Sequence, residues 1–132
     1  MKRIIYVLLL ALLGTAACNK KEVAPLHFQV TASGSSFRAG DTVQFVFTGN
    51  PDLITFYSGE DGHRYDHRHD LDSSGDALSD VGSALKDMTT RLDTYQYVYA
   101  QPGSYTATFE AANKNIYGSR TIVRTVHLTV TP

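Results

Sequence analysis

Tryptophan is missing from this chain of 132 residues, and cysteine occurs once, at Cys18. A single cysteine excludes an intrachain disulfide and a thiolate metal cluster, so packing has to hold the fold. An excess of charge of one sign is also lacking. Twelve Lys and Arg stand against thirteen Asp and Glu, which leaves no basic footprint for nucleic acid. No Gly-rich phosphate loop is present. Ser58 has Phe56 and Glu60 two residues away on either side instead of glycines, so there is no nucleophile elbow. Apolar runs are confined to the start, where Ile4 to Leu13 is broken only by the hydroxyl of Tyr6. That run is too short for a bilayer, which takes roughly 20 residues.

What is there begins with a leader. Lys2 and Arg3 precede the apolar run, and Gly14-Thr15-Ala16-Ala17 leads into Cys18; basic start, apolar centre and small residues make a secretory signal. A cysteine directly after small residues resembles the lipobox of bacterial lipoproteins, whose thiol is lipidated before cleavage. The resemblance implies a signal peptide over 1–17, a lipid on Cys18 and a membrane as partner. A plain signal peptide would leave Cys18 as a free thiol, a liability in an oxidising compartment. The leader takes two basic and no acidic residues. The remaining 115 residues therefore carry ten basic against thirteen acidic, a net charge of −3, and have the length of one domain. Residues 18–25 read as a tether and 26–132 as that domain.

The domain alternates with period two, the mark of half-buried strands. Leu26, Phe28 and Val30 share one face, followed by a break at Ser33-Gly34-Ser35-Ser36. Val43, Phe45 and Phe47 share the next, and Leu53 to Tyr57 follows the turn Gly49-Asn50-Pro51-Asp52. Tyr95, Tyr97 and Tyr99 form a row, as do Tyr105, Ala107, Phe109 and Ala111, with Thr106, Thr108 and Glu110 facing out. A hairpin from Asn113 to Gly118 leads to Val126, Leu128 and Val130. Strands so spaced predict an all-β sandwich of about seven strands. The stretch from Asp72 to Asp93 departs from this pattern. Leu78, Val81, Leu85, Met88 and Leu92 approximate helical spacing, which predicts a long insertion with one short helix despite Gly82, at a cost of about 1 kcal/mol.

The segment Tyr97-Val98-Tyr99-Ala100-Gln101-Pro102-Gly103-Ser104-Tyr105-Thr106-Ala107-Thr108 resembles the closing half of a PKD domain, an immunoglobulin-like sandwich. Tyr105 stands where a tyrosine corner would return its hydroxyl to upstream backbone. The Trp-Asp-Phe-Gly-Asp-Gly signature of PKD domains is replaced by Ile54-Thr55-Phe56-Tyr57-Ser58-Gly59-Glu60-Asp61-Gly62-His63-Arg64-Tyr65. That replacement resembles a PKD-like domain of unknown function found in Bacteroidetes lipoproteins, many of them encoded with starch-utilisation-type glycan uptake systems. The resemblance implies an immunoglobulin-like module, often the first of a longer protein, with a glycan or an envelope protein as partner. Pro132 follows directly on the last expected strand, so a C-terminal binding domain is expected to be missing. Lys20 and Lys21 stand where surface-exported members carry acids, which implies the periplasmic face of the outer membrane.

A polar cluster after the third expected strand holds the candidate ligand residues. In an extended chain His63, His67 and His69 share a face and, with Asp70, would suit a borderline transition metal; Asp66, Asp70 and Asp72 would suit Ca²⁺. A solvated edge is the plainer account, because Arg64 and Arg68 interleave with the acids. For a glycan, the surface expected is Tyr57, Glu60, His63, Tyr65 and Arg68, where rings stack on sugar C–H groups and charged groups bind hydroxyls. Neither a cofactor nor enzyme activity is expected.

Overall fold

In an extended backbone successive side chains point to opposite faces, and the pattern of β3 (Thr42–Gly49) follows from that: Val43, Phe45 and Phe47 are buried while Thr42, Gln44 and Val46 are exposed. The computed structural model describes residues 22–132 except 72, 77 and 78; the leader and Cys18 lie outside the described residues. β1 (Phe28–Ala32) and β6 (Thr94–Val98) flank β3, giving a three-stranded antiparallel sheet in the order β1-β3-β6. The second sheet comprises β2 (Ser36–Arg38), β4 (Leu53–Tyr57), β5 (Ser83–Lys86), β7 (Gly103–Asn115) and β8 (Gly118–Thr131), in the order β2-β8-β7-β4-β5.

The two sheets close on a ring-rich core. Phe109, fully buried, has Phe45 at 4.9 Å, Phe47 at 5.3 Å and Phe56 at 4.9 Å between ring centroids. Both contacts across to β3 are edge-on, the arrangement favoured by the ring quadrupole. Ala107 and Ala111 flank Phe109 on β7, and their small side chains leave room for these rings. Tyr99, just past β6, is buried and donates its hydroxyl to the carbonyl of Ser58 at 2.8 Å.

The strand order is that of an immunoglobulin fold. β1-β3-β6 corresponds to strands A, B and E, and β8-β7-β4-β5 to G, F, C and C′. Tyr105, near the start of the F-equivalent β7, donates its hydroxyl to the Gln101 carbonyl at 2.9 Å. The expected tyrosine corner is therefore formed, with the ring half-buried and stacked on Tyr99 at 4.4 Å.

Two expectations need correction. Eight strands stand among the described residues, two of them in places where none was read from the sequence. One extra is β2, which begins at Ser36 inside the expected break and pairs in parallel with the end of β8. The other is β5, in the stretch read as helical: Ser83 pairs with Phe56, Ala84 with Thr55 and Lys86 with Ile54, across a bulge. The apolar spacing misled because its members serve different surroundings. Leu85 and Leu92 pack on the core, whereas Val81 and Met88 are exposed; Leu78 lies outside the described residues. Gly82, costly in a helix, has a different reason for being glycine. A Cβ there would come within 2.6 Å of the Thr55 methyl and 2.7 Å of the Tyr57 ring, so any other residue would have to displace those side chains for the chain to lie this close to β4.

Candidate functional site

Tyr57 ends β4 and points away from the core, in register with Thr108 of β7, which in turn is in register with Thr125 of β8. The chain then turns sharply. Gly59 has φ +86°, and a Cβ on it would lie 2.6 Å from the Thr106 carbonyl oxygen, so the turn is pressed against β7 where no other residue fits. Its N–H is donated to the His63 carbonyl at 2.9 Å, and the N–H of His63 to the Glu60 carbonyl at 2.9 Å. A short 3₁₀ turn, Tyr65–His67, follows and brings the chain back over the outer face of the five-stranded sheet, so that the insertion starts directly after β4, ahead of Asp72.

Tyr65 anchors that return. Its ring meets Tyr57 edge-on at 5.2 Å, its hydroxyl is donated to a carboxylate oxygen of Glu110 at 3.1 Å, and the Arg68 guanidinium lies 3.7 Å from its ring centroid. Arg68 also donates to the Tyr65 carbonyl at 2.7 Å. A cation over a tyrosine face is attracted by the ring quadrupole. Burial, and then the Glu110 carboxylate, raise the Tyr65 hydroxyl above its ordinary pKa of 10.0, so it keeps its proton, and the bond to Glu110, further into alkaline pH than a free tyrosine would. Thr108, outward-facing in the strand pattern, is only 2% exposed. Beside Tyr65 opens a cavity of about 480 Å³, walled by Ser104, Thr106, Thr108 and Thr125 of the sheet and by Arg64, Asp66 and His67 of the insertion.

The expected glycan surface is thus divided. Tyr57, Tyr65 and Arg68 come together, but Glu60 and His63 are engaged elsewhere. Glu60 accepts the hydroxyl of Tyr97 from the opposite sheet, and burial followed by that hydrogen bond raises Tyr97 above the ordinary tyrosine range. The Nδ1 of His63 lies 2.8 Å from the Val81 carbonyl oxygen. A carbonyl can only accept, so Nδ1 carries the proton and Nε2 alone is free to accept or ligate.

The expected metal set, His63, His67, His69 and Asp70, presupposed an extended chain. The 3₁₀ turn breaks that geometry, and among the described residues no three His, Cys, Asp or Glu side chains gather to hold a metal. His67 instead lies between two carboxylates, with Nε2 3.5 Å from Asp66 and Nδ1 3.5 Å from Asp70, while His69 is exposed. Asp72 of the oxygen-rich set lies outside the described residues. Sequence reasoning missed Glu110, Tyr97 and the row of hydroxyls. The alternation that turned Thr106, Thr108 and Glu110 outward was the available signal, since a long insertion leaving β4 has that face beside it.

Sheet order and tyrosine corner together define an immunoglobulin-like β-sandwich carrying a docked insertion between its C- and E-equivalent strands. More particularly, residues 17–89 match the model of a family described as a domain of unknown function, DUF5017, and the chain belongs to that family. Among solved structures it is similar to the PKD domain of the human VPS10 domain-containing receptor SorCS2, determined in solution, with 18% identity and a TM-score of 0.44 over 90% of this chain and 91% of that one. No curated protein matches it.

Proposed function

We propose that this chain is a lipid-anchored envelope protein whose sandwich serves as a non-catalytic interaction module, placed on the periplasmic face of the outer membrane beside a glycan uptake system. The observation that carries the reading is how the insertion spends its polar groups. Glu60 accepts a hydrogen bond from the Tyr97 hydroxyl, Tyr65 donates its own to Glu110, Arg68 rests on Tyr65, and His63 donates its ring N–H to the Val81 carbonyl. Groups so committed shape a surface and are not poised for proton transfer. Anchoring through Cys18 is supported by the basic, apolar and small-residue order before it, and several acyl chains at about 0.8 kcal/mol per buried CH₂ make a durable anchor. Cys18→Ser is expected to release the protein from the membrane fraction. An unmodified mature N-terminus by intact mass in the native host would overturn the anchoring.

A second reading, direct carbohydrate binding, is favoured by the cavity beside Tyr65. Its hydroxyl, carboxylate and guanidinium groups match the hydroxyls of a sugar ring in kind. Titration calorimetry with host-relevant polysaccharides decides between the two. Binding heat abolished by Tyr65→Ala supports the carbohydrate reading. No heat with any of them, together with co-purification of an envelope protein from detergent extracts, supports the docking module.

A further inference from the structure

β7 and β8 outrun their neighbour. Pairing of β4 with β7 ends at Leu53 and Ala112, whereas β7 and β8 continue to pair through Asn113 with Arg120, Lys114 with Ser119 and Asn115 with Gly118. Asn113 is still buried, its side-chain oxygen accepting the Asp52 N–H at 2.8 Å, and the two residues beyond it, at about 3.4 Å each, carry the hairpin roughly 7 Å past the sheet. At its tip stand Ile116, 89% exposed, and Tyr117, 53% exposed. The tip is held in shape, because the Tyr117 N–H is donated to the Asn115 side-chain oxygen at 2.8 Å.

The N-terminal segment runs toward this same tip. Two arginines of β8 hold it: Arg124 donates to the Phe28 carbonyl at 3.0 Å, and Arg120 to the Val23 carbonyl at 3.2 Å. The Val23 side chain lies against Gly118, 3.7 Å from where a Cβ would stand. Val23 is only five positions along the chain from Cys18, a reach of at most about 18 Å. A lipid on Cys18 therefore ties the membrane surface to the hairpin end of the sandwich. Lys114 and Arg120 stand on the hairpin near its tip, with Asp52 and Glu22 as the acids nearby, and Lys20 and Lys21 follow Cys18 in the sequence, a basic excess that suits an anionic leaflet.

Resting on the lipoprotein reading, we propose that the β7–β8 hairpin tip is a second membrane contact, in which Ile116 and Tyr117 enter the headgroup region of the leaflet that holds Cys18. Tyrosine is suited to that depth, with its ring among the upper acyl chains and its hydroxyl in water. Lys114 and Arg120 lie beside anionic headgroups, their stems along apolar surface. Two contacts fix the sandwich upright on the membrane, where a tether alone would let it tumble.

The chain contains no tryptophan, so a single introduced indole reports its own depth. Ile116→Trp and, as a control in the turn at the opposite end, Gln101→Trp are made in the full chain, processed in a lipoprotein-competent host. Each is reconstituted in phosphatidylethanolamine–phosphatidylglycerol vesicles with acyl chains brominated near the headgroup. The expected result is a blue-shifted emission at position 116 and loss of most of it in brominated vesicles, with position 101 unaffected. Emission at 116 unchanged by brominated lipid, on protein whose mass shows acylated Cys18, overturns the tip contact and leaves the lipoprotein reading intact. A mass without acyl groups overturns both.

Discussion

The hydroxyl of Tyr97, on the three-stranded sheet, is donated to the carboxylate of Glu60, in the turn that leaves the five-stranded sheet. One hydrogen bond thereby ties the insertion's first turn to the sheet that the insertion does not belong to. Hydrogen bonds to charged groups contribute about 1.5–3 kcal/mol, and partial exposure puts this one near the lower figure. Tyr97→Phe is expected to lower the urea midpoint accordingly, and a midpoint unchanged within error would show the bond to be idle.

The tyrosine corner is expected to be worth about 1 kcal/mol, a typical net value for a neutral hydrogen bond. Tyr105→Phe removes the donor to Gln101 while keeping the ring stacked on Tyr99. Chemical denaturation of the two proteins measures the difference directly, and no difference would mean that stacking alone holds the corner.

Much of this architecture was legible in the chain because burial and strand period coincide. The rows through Val43, Phe45 and Phe47, and through Ala107, Phe109 and Ala111, became inner faces of the sandwich. The site was less legible, since its partners are distant in sequence and meet only through docking: Tyr65 with Glu110, Glu60 with Tyr97. β5 was hidden for a related reason. Only Leu85 of its four residues packs against the core, so the strand carries too little alternation to outweigh an accidental helical spacing around it.

Phe109 is the ring that three others share, and its truncation should be the costliest single change in the core. Phe109→Ala is expected to cost about 3–5 kcal/mol, the usual loss for a buried aromatic. A thermal or urea transition that moves by much less would mean that Phe45, Phe47 and Phe56 collapse into the space.

Alkaline pH should unfold the domain through its tyrosines. Burial raises Tyr99 well above its ordinary value of 10.0, and Tyr95, Tyr97 and Tyr65 are raised too, each chiefly by burial. A hydroxyl that holds its proton more tightly when folded contributes stability that is complete below pH 10. That stability is lost as pH climbs through the raised values, because the unfolded chain ionises first. Ultraviolet titration should show tyrosinate forming in step with loss of β-sheet circular dichroism, and tyrosinate formed fully before unfolding would contradict this.

Tyr65→Ala is expected to free the insertion while leaving the sandwich folded. It removes the Glu110 hydrogen bond, the Tyr57 contact and the seat of Arg68 together. Limited proteolysis should accelerate between residues 59 and 71, with hydrogen exchange around Phe109 unchanged. Equal protection of the insertion in both proteins would show that Gly59 and the backbone turn suffice to hold it.

The parallel pairing of β2 with the end of β8 has a mechanical consequence. Ser36, Phe37 and Arg38 lie beside Thr129, Val130 and Thr131, and flanking bonds join Ser35 to Thr129 and Ala39 to Thr131. A pull applied between the N-terminal segment and Thr131 draws these two strands in opposite directions along their length. The rungs are then loaded together, in shear, and must yield at once, whereas a hairpin pulled apart at its open end opens bond by bond. A domain loaded in this way resists through those rungs together with the pairing of β1 to β3.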